Sequence, residues 1–167
     1  MTPELQTIRF LWQYMVYADK EVLAASRSVP DEGYRREQNI SFGSVEKLLN
    51  HSMLAQACWL ERLAGKDVVY VDLPPLPRAE FPARWAQVHQ SLLAFAGAQT
   101  QDSLAKMIRI TTRAGKKLEL PIGASMLHVC DHATYHRGQL NSMIKLAGGT
   151  PSPVMVSMFC LAQGIGR

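Results

Sequence analysis

Three histidines stand four residues apart, at His128, His132 and His136. A step of four residues turns an α-helix by about 400°, so each imidazole is offset by about 40° from the one before. On a helix all three therefore share a face. Two imidazoles one turn apart can enter one cavity and bind one divalent cation. Three on consecutive turns of a straight helix span about 12 Å, too far to share an ion at about 2.0 Å each. At most two of them are ligands of one metal, and spacing leaves the pairs 128/132 and 132/136 equal. His51 lies between Leu48 and Leu54-Ala55, inside the apolar stripe of another segment. Three neutral imidazoles from two helices would satisfy one another through a metal and leave a coordination position open. An unpaired buried polar group costs about 1 to 3 kcal/mol, which argues for such partners. Spacing alone does not separate this arrangement from core and surface histidines bonded to ordinary neighbours.

The flanking residues bear on the same chemistry. Asp131, about 100° around the helix from His132, can accept a hydrogen bond from a ligand's second nitrogen or stand in solvent. Gln139, three residues beyond His136, reaches the same face. Arg137 suits an anionic substrate or an acid across a subunit contact, and Tyr135 suits either a cavity wall or the bundle interior. Gly138 costs helix stability and is expected where another helix comes close. Cys58 follows His51 by seven residues and so falls near its face, where core packing is the expected role. His89 is expected to be partly exposed and not a further ligand. Cys58, Cys130 and Cys160 are odd in number and widely spaced, a poor disulfide framework that fits a reducing compartment.

These side chains need elements to hold them. Apolar residues at spacings of three, four and seven predict a first helix over about 3–27, with Thr2 as cap and Pro3 in its first turn. A second is predicted over 44–64, capped by Ser41 or Ser44 and closed by Gly65. Residues 66–79, with Pro74, Pro75 and Pro77, read as a non-helical connection. A third helix is predicted over 80–99 and a fourth over 122–146, stopped by Gly148-Gly149 and Pro151. Between them Met107 to Thr112 and Leu118 to Leu120 have room for a small hairpin turning at Arg113 to Lys116. Val29 to Gly33 reads as a loop, and a short last helix is predicted from near Ser152 to Gln163. The fold class is all-α: a four-helix bundle occupying residues 1–167 as one domain.

Composition limits the function. The chain has 167 residues, 47% hydrophobic and 19% charged, with a formal net charge of +4. Its basic pairs, Arg35-Arg36 and Lys116-Lys117, sit in turns, and no helix carries a basic stripe, which argues against nucleic acid as a partner. No apolar run reaches the ~18 residues of a membrane span, and the opening MTPELQTIRF lacks the basic start and apolar block of a signal peptide. A cytoplasmic location is expected.

The run from Leu127 to Leu140, LHVCDHATYHRGQL, is similar to the signature of the DinB/YfiT-like metalloenzyme family, a His-x-x-x-His-Arg-Gly-Gln run on the last bundle helix. Tyr14 to Leu23 resembles that family's first helix. Ser41 to Gly65 resembles its second, ending Trp-Leu-x-Arg-Leu-x-Gly. The resemblance implies a four-helix bundle with a long crossover and a metal on His51, His132 and His136, with His128 in the second shell or cavity wall. It implies Ni2+ or Zn2+, with Fe2+ or Mn2+ as further choices, and often a homodimer. It also implies a thiol-dependent transferase or isomerase acting on small molecules with bacillithiol, mycothiol or glutathione, though many members have no assigned reaction. One departure stands out: Gly149 to Val156 keeps the family's prolines but has no acid after Pro153. The alternatives to an enzyme are a non-catalytic metal-holding stress-response domain and a dimeric helical interaction module.

Overall fold

The computed structural model describes residues 2–165. Four long helices form its body: α1 (Leu5–Ser26), α3 (Val45–Leu63), α4 (Phe81–Ala98) and α5 (Ile122–Leu146). Two short helices, α2 (Asp31–Arg35) and α6 (Val156–Ala162), lie in the connections, and a 3-10 turn spans Ser103–Ala105. α1 packs on α4 and α5, and α3 packs on the same two, so α1 and α3 stand across the bundle from each other. The predicted hairpin forms as β1 (Met107–Thr111) antiparallel to β2 (Lys117–Pro121), with Ile110 opposite Leu118. The architecture is the helical bundle with a minor sheet that the sequence predicts.

The core follows the helical period. Trp12, Leu48, Leu49, Trp85, Leu92, Met126, Leu140 and Met143 are fully enclosed. Both inner tryptophans find acceptors, as buried indoles do: Trp12 Nε1 donates to Met126 O at 3.0 Å and Trp85 Nε1 to Gln56 Oε1 at 2.8 Å. Gln56 leads to a polar centre drawing one side chain from each long helix. Asp19 of α1, only 1% exposed, accepts from Gln56 Nε2 of α3 at 2.6 Å and from Arg137 Nη1 of α5 at 3.2 Å. His89 Nε2 of α4 stands 3.4 Å from the same carboxylate.

Ends and caps explain where the predicted boundaries move. Ser44 caps α3 by accepting from Lys47 N at 3.2 Å, and Gly65 closes it with φ of 88°. α1 starts at Leu5 rather than Pro3, because Gln101 Oε1 takes the Leu5 amide at 2.9 Å and Thr2 is not needed as a cap. α6 starts at Val156, four residues later than predicted. The Asn141 side chain grips the Ser152 backbone on both sides, at 3.0 and 2.8 Å, and Pro153 disfavours a helical residue before it. Part of the predicted 29–33 loop instead forms α2, with Asp31 and Glu32 in its first turn. A Cβ on Gly33 would lie 2.5 Å from Ala147 O, so a tertiary contact holds this turn against the end of α5.

Candidate metal centre

His51 projects from α3, and His132 and His136 from α5, the adjacent helix. One ligand atom from each lies within 4.8 Å of the other two, a spacing able to hold a divalent metal ion. His132 Nε2 and His136 Nε2 are 3.1 Å apart. Of the pairs that spacing left open, the structure brings 132/136 together with His51. His128 lies one turn away, its ring 4.8 Å from that of Trp59 and 5.9 Å from that of His132.

Outer partners orient two of the three rings. Gln139 Oε1 lies 2.7 Å from His136 Nδ1, so that nitrogen donates and Nε2 keeps its lone pair. Tyr70 donates its hydroxyl proton to Asp72 Oδ1 at 2.9 Å and stands 2.7 Å from His51 Nδ1. The phenol therefore accepts from His51, again leaving a lone pair on Nε2. Arg113 closes this chain with an ion pair to Asp72 at 2.8 Å. Phe42 stacks on His51 at 4.1 Å between ring centroids.

The rings are neutral bases at physiological pH. Burial, followed by the charge of His136, pulls His51 from 6.5 down to about 4. Burial, then His136, His51 and His128, pulls His132 to about 3. Burial lowers His136 as well. Three neutral nitrogens with lone pairs converging at such short range repel one another unless a cation or proton stands between them. Nitrogen donors of this type suit zinc, nickel, copper and iron. The donor set thus fits the metal that the resemblance implies.

A pH prediction follows. The folded pKa values of His51 and His132 lie below 6.5, so the unfolded chain binds more protons as pH falls below that value. Their contribution to the stability of metal-free protein is full above pH 6.5 and is lost progressively towards pH 4 for His51 and pH 3 for His132. Thermal melts of chelated wild type should fall more steeply across this window than those of His132→Gln. Parallel curves would contradict the assignment of the shift to His132.

Beside the histidines opens a cavity of about 610 Å³. His51, His132 and His128 line one side, and Trp59, Ile110 and Leu120 supply apolar wall. The hairpin roofs it, which gives that minor element a role in the site. Cys58 also borders it, where burial pushes the thiol pKa up and keeps it protonated.

Packing decides where the remaining candidates stand. His89 is not partly exposed but 3% exposed, its ring tilted against that of Trp85 at 5.1 Å and facing Asp19. Arg137 is buried, bonded to Asp19 and to Thr134 Oγ1 at 2.8 Å. The Asp19 carboxylate inside α1 is what draws both inward. Gly138 is not at a close helix contact, since a Cβ there would meet nothing within 4 Å. Asp131 faces solvent, and Tyr135 is 63% exposed, its ring 5.1 Å from that of His136. Residues 149–153 border a separate pocket with Asn141 and Lys145. Tyr70, Asp72 and Phe42 escaped the sequence reading because they lie in irregular segments with no period to mark them.

The outer partners carry a further prediction. Tyr70→Phe and Gln139→Leu should each weaken metal binding by about 10- to 100-fold, the usual effect of losing a ligand's orienting bond. Competition with a chromogenic chelator measures it, and unchanged affinity in both would mean that these bonds do not orient ligands.

Known proteins share this fold. The sequence model of the DinB family matches residues 3–163. The chain is 23% identical over 158 residues to Protein DinB of Bacillus subtilis (strain 168), covering 89% of this chain and 91% of that one. Its fold matches the crystal structure of a DinB-like protein from Bacillus cereus ATCC 10987 with a TM-score of 0.67 at 18% identity, over 87% of this chain and 95% of that one. With a matched span that runs from the start of α1 to beyond α6, the chain belongs to the DinB family.

Proposed function

We propose that His51, His132 and His136 hold one divalent cation, Ni2+ or Zn2+, and that the protein joins a low-molecular-weight thiol to a small electrophile in the adjoining cavity. The observation that carries this reading is the convergence of three neutral imidazoles at the edge of a 610 Å³ apolar cavity. A bound cation of this kind supplies Lewis acidity, lowering the pKa of a thiol or water and polarising an acceptor. The chain's own residues do the rest. Tyr70 and Gln139 fix the rings of His51 and His136. Trp59, Ile110 and Leu120 exclude water from an apolar substrate. Cys58 keeps its proton, so the nucleophilic sulfur comes from the co-substrate.

The test is consumption of glutathione, bacillithiol or mycothiol with a panel of activated aryl halides and epoxides, before and after chelation. Turnover that disappears on chelation and returns with Ni2+ or Zn2+ supports the reading. Equal turnover in metal-free protein refutes it. A non-catalytic metal-holding role is favoured by one observation: no carboxylate lines the cavity among the described residues, so proton transfer there falls to histidine or to the co-substrate. Metal bound without turnover across the panel would establish that role.

We also propose a homodimer, supported by Met155, Met158 and Leu161, which leave the α6 region about half exposed and apolar. Light scattering after size exclusion should give twice the 18.6 kDa of one chain.

A further inference from the structure

We propose that Arg62 makes the cavity selective for ligands that carry a carboxylate on an apolar body. This deepens the thiol-transfer reading and rests on it for the reaction, though the binding itself does not require the metal. Arg62 sits near the end of α3 and is only 6% exposed. Its guanidinium lies over the Trp59 ring, 4.9 Å from the centroid, three residues back on the same helix. Nε donates to Val68 O at 2.9 Å and Nη2 to Thr111 O at 3.1 Å, so the loop after α3 and strand β1 hold the group in one orientation. Among the described residues Nη1 has no acceptor, and no carboxylate comes within salt-bridge distance of Arg62.

A bland role accounts for part of this. Two carbonyl bonds and a stacked indole make Arg62 a brace between α3, the loop and the hairpin. Carbonyl dipoles do not neutralise a full charge, however, and arginine is rarely buried without an anion. Arg137, equally buried, has Asp19 at 3.2 Å. Arg62 has no equivalent, yet it lines the cavity that His51, His128 and His132 also line. The other charged residue on that wall is Arg113, and its acid partner Asp72 is not part of the lining. The wall thus carries two guanidinium groups and no carboxylate. Its remaining surface is largely apolar, from Trp59, Ile110, Leu118 and Leu120. Apolar walls with one oriented cation select an apolar acid: the guanidinium fork fixes the carboxylate, and the reacting end extends towards the histidines.

The carboxylate can belong to the electrophile or to the thiol, since both can carry one. Calorimetric titration with 4-phenylbutyrate and its neutral isostere 4-phenylbutyramide isolates the shared chemistry. It is run on protein as isolated and again after chelation. The acid should bind at least about tenfold more tightly than the amide, the size expected for a hydrogen bond to a charged group. The preference should survive chelation, disappear in Arg62→Met and persist in part in Arg62→Lys and fully in Arg113→Met. Glutathione that displaces 4-phenylbutyrate places the natural carboxylate on the thiol, and co-binding places it on the electrophile; both uphold the site. Because Arg62 also braces the hairpin, each variant's melting curve is recorded first. If Arg62→Met does not fold, Arg62→Lys and Arg113→Met still decide the matter. Equal binding of acid and amide in wild type overturns the proposal. So does a preference that vanishes on chelation, because the carboxylate would then be on the metal, or one that depends on Arg113. Wild-type protein that takes up no Ni2+ or Zn2+ yet keeps the acid preference would count against the metal reading alone.

Discussion

His132→Ala should reduce bound nickel or zinc from about one ion per chain to near zero, as measured by elemental mass spectrometry on untagged protein. His132 is the middle of the cluster: its Nε2 stands 3.1 Å from that of His136, and its ring lies 5.4 Å from that of His51. Losing an orienting partner costs about 10- to 100-fold in metal affinity, and losing a ligand costs more than that. His128→Ala is the control. It removes an imidazole from the same helix face and cavity, yet lies outside the set that converges. It should keep its metal. Both proteins should remain folded in metal-free form, because the histidines stand at the rim of the core. Equal metal in wild type and His132→Ala would remove the basis for any metal chemistry at this site.

The second large effect lies away from the histidines. Asp19→Ala should lower stability by about 3 to 5 kcal/mol, because it leaves the Arg137 guanidinium buried without an anion. For a chain of this size that is a fall in Tm of about 10 °C or more. It also strips Gln56 Nε2 of its acceptor and removes the group that faces His89. Pairing Asp19→Ala with Arg137→Met should recover part of the loss, since two apolar residues are less costly than one orphaned charge. Thermal and urea melts of the four proteins give the coupling directly. A single-variant loss below about 1 kcal/mol would mean that the pair is no better than a surface ion pair.

What the sequence makes legible follows from how each feature is encoded. α5 is predicted at Ile122–Leu146 because Pro121 and Gly148 bracket a long periodic run. Ser44 and Gly65 mark α3 for similar reasons, as capping is local chemistry. The histidines share a face by arithmetic, but choosing His136 over His128 needs the partner helix, and spacing alone could not supply it. Asp19 reads as one more polar residue on α1. Only packing shows that it draws His89 and Arg137 inward, and for this reason both were expected nearer the surface or at a subunit contact. Tyr70 and Asp72 come from an extended segment whose position depends on where the proline-rich connection crosses α3. No residue pattern records that. The start of α6 was misplaced because Asn141, eleven residues before Ser152, competes for its backbone.

The carboxylate that gathers Gln56, His89 and Arg137 takes one side chain from each long helix, and so acts as a register pin. Sliding any helix by a turn, about 5.4 Å, would take its member out of reach. α3 and α5 each contribute to this pin, and each carries part of the histidine cluster. Their relative height, and so the distance from His51 to His132 and His136, is set in the interior and not by the loops. The two long connections and the hairpin can therefore lengthen, shorten or change sequence without shifting α3 against α5, provided that Tyr70 and Phe42 keep their contacts with His51. The mouth of the cavity, which those segments form, can then be reshaped while the three imidazoles stay where they are.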